Sequence, residues 1–389
     1  MSATGDLVRL LRYDWDPSSW TTAAIEREID WTEVVRIALD HGVAGLLCRS
    51  LRALPAGAAP GDIVAAAGAY LETANREGAS RVARLMEILD TLAADDIAAL
   101  AFKGPALGAL AHASATIRPS RDIDVLVHTR DMARATDALS RLGYRSESLH
   151  AKALAACYQS YGQDIMFAPQ RPPVEPHCAF LPGTLAVDLD LEGFWRRARP
   201  VEIDGRVVRT LSIEDSVLVA CLHGSKERWW RLLWIADVAA LIHRHPDLDW
   251  SALSGRARVA GVERMLLLGI DLARDLFGCA VPETVCSPMH RDGVLLWLKQ
   301  QVKRDLFQGD AHRGPPDRVS RYYWQLRERR QDRVRYLWRT LTTPRFHHYG
   351  MIKLPDGLFG GYVVVKIVHD YVLLPLWWVV KGRWRRRAT

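Results

Sequence analysis

Lysine is scarce in this chain. Of 52 basic residues only 8 are lysine, against 44 arginines. Such a bias reads as a GC-rich coding background rather than as a function. It also makes each lysine that does occur less likely to be filler. Cysteine is scarce too: Cys48, Cys157, Cys178, Cys221, Cys279 and Cys286 are scattered. With no Cys-x-x-Cys pair they indicate neither a zinc module nor a disulfide framework, and reduced thiols are the default. No uncharged apolar run of about 18 residues occurs, so no transmembrane span is expected. The opening Met1-Ser-Ala-Thr-Gly-Asp-Leu-Val-Arg9 lacks the basic-then-apolar pattern of a secretory leader, and a cytoplasmic location is expected. Acidic residues are not lacking. The net charge of +7 is compatible with an anionic substrate and identifies none.

What is present is an ordinary globular composition, 49% apolar and 25% charged over 389 residues. The first hundred residues carry apolar side chains at helical spacing, in Trp31–Asp40 and Gly42–Leu54. A proline-bounded loop at 55–61 follows. Asp62 to Ala94 reads as one long amphipathic helix, with Leu71, Ala74, Val82, Leu85, Ile88 and Leu92 near one stripe.

The chemistry starts at residue 99. Ala99-Leu-Ala-Phe102 is a short apolar run, read as a buried strand. Lys103-Gly104-Pro105 breaks it, and Pro105 suits the first position of a helix running to about Ala111. A helix N-terminus preceded by Gly104 and Lys103 is an anion site. Lys103 would be a point charge on outer phosphates. After Arg118-Pro-Ser-Arg121 comes Asp122-Ile-Asp-Val-Leu-Val127. Side chains two apart on a strand share a face, so Asp122 and Asp124 project together. Two like charges this close resist joint ionisation, and a cation between them relieves it. Oxygen ligands of this kind suit Mg²⁺ shared with substrate phosphates.

These segments resemble the uncharacterised nucleotidyltransferase family of the polymerase-β-like superfamily, over roughly residues 80 to 250. The resemblance rests on Lys103-Gly-Pro-Ala-Leu107 and Arg118-Pro-Ser-Arg-Asp-Ile-Asp-Val-Leu-Val127. It extends to Val174-Glu-Pro-His177 and to His223-Gly-Ser-Lys226 followed by Arg231-Leu-Leu-Trp-Ile-Ala-Asp237. The superfamily's usual Gly-Ser or Gly-Gly turn is Lys103-Gly104 here. The resemblance implies a third carboxylate on a neighbouring strand, Glu175, with Asp164 as the alternative. The implied metal ligands are Asp122, Asp124 and Glu175, holding Mg²⁺ or Mn²⁺. The implied nucleotide contacts are Lys103, Gly104, Arg118, Arg121, His177, His223 and Lys226, with Trp229 or Trp230 as a base-stacking surface. Asp237 reads as structural, pairing with an arginine or capping a helix.

The remaining chain alternates and then turns helical. A helix is expected over Asp131–Leu142, stopped by Gly143, and another over His150–Tyr161. Residues 163–169 and 173–180 read as a hairpin, although Pro176 removes a ladder donor. Residues 201–208 form a second hairpin about Asp204-Gly205. Ser212 caps a helix that Gly224 is expected to break. Leu253–Leu276 and Val294–Phe307 read as further helices. The Arg- and aromatic-rich stretch 318–341 either binds nucleic acid or, the preferred reading, packs with a solvated basic face. The apolar, Trp-rich tail with its basic end either docks on the protein or lies on an anionic membrane surface.

The expected architecture is α+β: a polymerase-β-like core with a mixed sheet over 96–211, an N-terminal helical region over 1–95, a C-terminal helical domain over 212–341 and a tail over 342–389. The expected activity is transfer of an NMP from an NTP such as ATP to a small molecule, natural-product peptide or protein, releasing pyrophosphate. A tRNA acceptor and an inactive nucleotide-binding or membrane-surface scaffold are the alternatives.

Overall fold

The computed structural model describes residues 3–12, 15–16, 29–146, 151–307 and 319–374. The N-terminal part is helical: Ala3–Arg12, Trp31–Asp40, Ala44–Ala53 and the long Gly61–Ala94. Asp30 starts the second of these by accepting from the Glu33 amide at 3.0 Å. The long helix buries Ala67, Leu71, Gly78, Val82, Leu85, Met86, Ile88 and Leu92, so the expected stripe is packed except at Ala74, which is half-buried.

It delivers the chain into a five-stranded mixed sheet. The strands are β1 (Ala99–Ala101), β2 (Ile123–Val127), β3 (Arg145–Ser146), β4 (Met166–Phe167) and β5 (Val174–His177). Their order is β1-β2-β5-β4-β3. β2 runs parallel to β5 and antiparallel to β1. Pro176 is accommodated because β4 pairs with β5 only at Met166–Val174, while the Pro176 carbonyl accepts from the Asp164 amide at 3.0 Å. Ile123, Val125 and Val127 face one apolar core with Ala101, Met166 and Val174. Leu126, Leu100 and Phe102 belong to a second, larger core. That core runs from Leu7 through the helices Ile213–Lys226, Leu232–Arg244 and Glu263–Phe277 to Tyr336, so both helical ends of the chain share it. A separate ribbon, β6 (Arg199–Ile203) and β7 (Arg206–Thr210), turns at Asp204 and Gly205, both at positive φ, as a tight hairpin requires.

Three helix boundaries differ from expectation. Gly224 does not break its helix, which continues from Ile213 to Lys226. A Cβ on Gly224 would lie 2.4 Å from the Trp229 ring, and one on Gly269 2.9 Å from it. The two glycines therefore form a slot for Trp229. Residues 253–276 are two helices, Trp250–Ala260 and Glu263–Phe277, because the chain turns left-handed at Gly261. The Arg-aromatic stretch is also two helices, Arg321–Leu326 and Arg330–Thr342. Tyr322, Tyr323, Arg327 and Tyr336 are buried there, which supports packing rather than nucleic-acid binding.

Beyond residue 342 a small cluster of Tyr349 and Tyr362 packs on Ala153 and Cys157 of the helix Ala151–Tyr161. The beginning of the tail thus docks on the protein, while its basic end lies outside the described residues. No described helix is long and apolar enough to cross a membrane. All six cysteines are buried free thiols.

Candidate active site

The parallel register sets Asp124 of β2 opposite Glu175 of β5, and Leu126 opposite His177. Alternation then places Asp122, Asp124, Glu175 and His177 on one face of the sheet. Ligand atoms of Asp124, Glu175 and His177 all lie within 4.8 Å of one another. His177 Nε2 is 2.9 Å from Asp124 Oδ1 and 3.4 Å from Glu175 Oε2. Phe102 holds the His177 ring edge-on at 5.1 Å. Gln163 donates to Glu175 Oε2 at 2.9 Å. Asp122 is oriented by Ser120, whose hydroxyl donates to its carbonyl at 2.6 Å and to its carboxylate at 3.2 Å.

Asp164 is not part of this group. Its carboxylate accepts from Ser146 Oγ at 2.5 Å and from the Tyr158 hydroxyl at 3.3 Å. Of the two candidates for a third carboxylate, Glu175 lies beside Asp124 and Asp164 does not.

The Lys-Gly turn closes over these carboxylates. Lys103 stands at the N-cap of the helix Gly104–His112, with Pro105 in its first turn. Gly104 has φ +49°, a left-handed conformation that favours glycine, and a Cβ there would meet Ser120 Oγ at 3.4 Å. Lys103 Nζ donates to Asp124 Oδ1 at 2.7 Å. Burial opposes charge on the Lys103 ammonium, but Asp124, Glu175 and Asp122 outweigh it and hold the proton more tightly. Burial likewise opposes charge on Asp124, and Lys103 and His177 outweigh it, keeping that carboxyl well below the usual range. Asp122 goes the other way: burial, then the charges of Asp124 and Glu175, push it up to about 6. Asp124 Oδ2 is buried and has no hydrogen-bond partner. A buried, unpartnered carboxylate oxygen is unfavourable in isolation, and oxygen donors converging beside it are the set a hard divalent cation takes.

The other expected contacts divide. Arg118 is buried and committed to Asp237, donating from Nε at 3.0 Å and Nη2 at 2.8 Å. His112 Nε2 reaches the same carboxylate at 2.8 Å. Asp237 is therefore the structural partner expected of it, and Arg118 is a clamped residue rather than a free phosphate ligand. Arg118 still lines a narrow cleft with Lys103, Ser216, His223, Trp234 and Asp237. His223 packs edge-on against Trp234 at 5.2 Å. Burial, then the charges of Lys103 and Lys226, keep its ring neutral well below the ordinary histidine range. Lys226 pairs with Glu227 at 3.1 Å. Arg121 is exposed. Trp229 is fully buried and cannot stack on a base. Trp230 packs on Trp234 and under Arg231.

Ser120, Gln163 and His112 escaped the sequence reading. Ser120 had a signal, a hydroxyl two residues before Asp122 in a Pro-containing loop. Gln163 and His112 had none, since their partners lie 12 and 125 residues away.

Together these residues offer carboxylates for a divalent cation, one ammonium beside them, and a cleft lined by a neutral imidazole. No curated protein matches the chain. Among solved structures, the solution structure of the antibiotic-resistance factor ANT(2'')-Ia is similar over 48% of this chain and 96% of its own, at 14% identity and a TM-score of 0.35. The model of the uncharacterised nucleotidyltransferase family matches residues 27–278, more than half of the chain, so the protein belongs to that family and is an enzyme of the nucleotidyltransferase class.

Proposed function

We propose that the protein moves a nucleoside monophosphate from an NTP to an acceptor hydroxyl on a polymerase-β-like core, with Asp122, Asp124 and Glu175 as the residues that hold Mg²⁺ or Mn²⁺. The observation that carries this reading is the shared face of Asp122, Asp124 and Glu175 beside Lys103, with Asp124 Oδ2 unpartnered. When bound, the cation polarises phosphoryl oxygens as a Lewis acid. The chain's own groups do the rest. Lys103 and the amide end of the helix Gly104–His112 neutralise outer phosphates. Glu175, held by Gln163 through one oxygen, has the other to take the acceptor's proton. The acceptor oxygen attacks the α-phosphorus, the bond to the bridging oxygen breaks and pyrophosphate leaves. Asp237 and His112 keep Arg118 fixed at the cleft, a positioning role. ATP is one candidate donor, and a small molecule, a peptide or a protein the candidate acceptors. The burial of Tyr322, Tyr323, Arg327 and Tyr336 takes those four side chains away from any tRNA acceptor.

The test is thermal stability of the full chain with each of the four NTPs, with and without Mg²⁺. A ligand at 100 times its Kd stabilises by about 2.7 kcal/mol. The expected outcome is a Mg²⁺-dependent rise for at least one NTP in wild type and none in Asp122→Asn/Asp124→Asn. No rise with any NTP would count against the reading.

A further inference from the structure

The last described helix, Tyr362–Val368 continued by the turn His369–Leu373, is built inside out. Tyr362, Lys366 and Asp370, at intervals of four, share one helix face. That face points into the protein: Tyr362 and Lys366 are buried. Asp370 is the centre of the inner face. Its carboxylate accepts from Lys366 Nζ at 2.8 Å and Arg345 Nη2 at 2.5 Å, and it meets His348 Nε2 at 3.1 Å and His369 Nδ1 at 2.7 Å. The outer face is apolar. Val364, Ile367, Val368, Tyr371, Val372 and Leu373 are between 41% and 62% exposed. With Met351, Ile352 and Leu358 beside them in sequence, residues 351–373 hold nine of the nineteen exposed large apolar residues among those described. A water-facing helix has the reverse arrangement. Burying ions and exposing a valine stripe are both unfavourable in water, and an apolar surface against the outer face resolves the second.

We propose that this outer face seats the protein on an anionic lipid surface. The continuing sequence selects that occupant. Leu374-Pro-Leu-Trp-Trp-Val-Val380 is followed by Lys381, Arg383, Trp384, Arg385, Arg386 and Arg387, and no acidic residue occurs after Asp370. Tryptophan prefers the headgroup level of a bilayer, and a cluster of basic residues next to it is drawn to anionic lipid. The helix lies flat because its other face is tied to Arg345 and His348, and Lys366 and Asp370 keep it from crossing. This docking is independent of the nucleotidyl-transfer reading.

The test is flotation of the full chain with vesicles of phosphatidylcholine alone and of phosphatidylcholine with phosphatidylserine. Wild type is expected to float with the anionic vesicles at least about tenfold more than with neutral ones, and less as salt rises. Val364→Glu and Val368→Glu, both at exposed positions, are expected to keep the wild-type melting temperature and lose that flotation. No flotation with anionic vesicles, equal flotation with neutral ones, or undiminished flotation of both variants would each overturn the proposal. A wild-type dimer in light scattering that Val368→Glu dissociates, with no vesicle binding, would overturn it in favour of a second copy of the chain.

Discussion

At the scale of single residues the candidate site is a balance of charges, and its parts titrate differently. The Asp122 carboxyl, pushed up to about 6 from an ordinary 3.8, holds its proton more tightly in the folded than in the unfolded chain. Its stabilising contribution is therefore full below the unfolded value and lost as pH rises through about 6. Asp122→Asn keeps the shape without the charge. It is expected to melt above wild type at pH well over 6, with the difference closing below that value, while transfer activity is lost. Equal melting temperatures throughout would show that neither burial nor the neighbouring carboxylates raise the Asp122 carboxyl. Asp237→Asn makes the opposite prediction, because it leaves the Arg118 guanidinium buried against a neutral amide. Breaking a buried pair this way costs about 3–5 kcal/mol, read as a lower urea midpoint at unchanged slope. The two cases also differ in legibility. Asp122 and Asp124 could be paired from alternation alone, since their relation is local. Arg118 and Asp237 are 119 residues apart, and no spacing rule joins them.

Secondary structure shows the same divide between local and distant causes. The start of the helix Gly104–His112, the cap at Ser212 and the turn at Asp204-Gly205 were all readable, because each depends on one or two adjacent residues. The hairpin 163–180 was also readable, and its parallel contact with β2 was not, since nothing in either strand names its neighbour. Gly224 was misread although its partner is near in sequence, because spacing does not show that a ring folds back onto the helix. Within its helix glycine is a weak point, and the Trp229 ring, five residues on and folded back over the helix, explains its presence. Gly224→Ala is expected to destabilise by about 1–3 kcal/mol through overpacking. The loss should shrink in a Trp229→Leu background, and a denaturation double-mutant cycle measures that coupling. Additive losses would mean the ring does not set the requirement.

For the whole molecule, the apolar core that joins Leu7 to Tyr336 makes the two helical ends interdependent. Calorimetry is expected to show them melting in one transition rather than two. The segment 346–373, held by the small cluster of Tyr349 and Tyr362, is expected to exchange its amide hydrogens fastest among the described helices. Equal protection there and in the helix Leu232–Arg244 would contradict this. The parallel seam between β2 and β5 has a consequence for synthesis. It joins residues 123–126 to residues 174–177, so a long excursion of chain must leave the sheet and return before the seam closes. A nascent chain halted within that excursion already carries Asp122 and Asp124, with no Glu175 to set beside them. With the proposed site split in this way, a nascent chain is expected to show no transfer activity before residue 177 has emerged and joined the sheet.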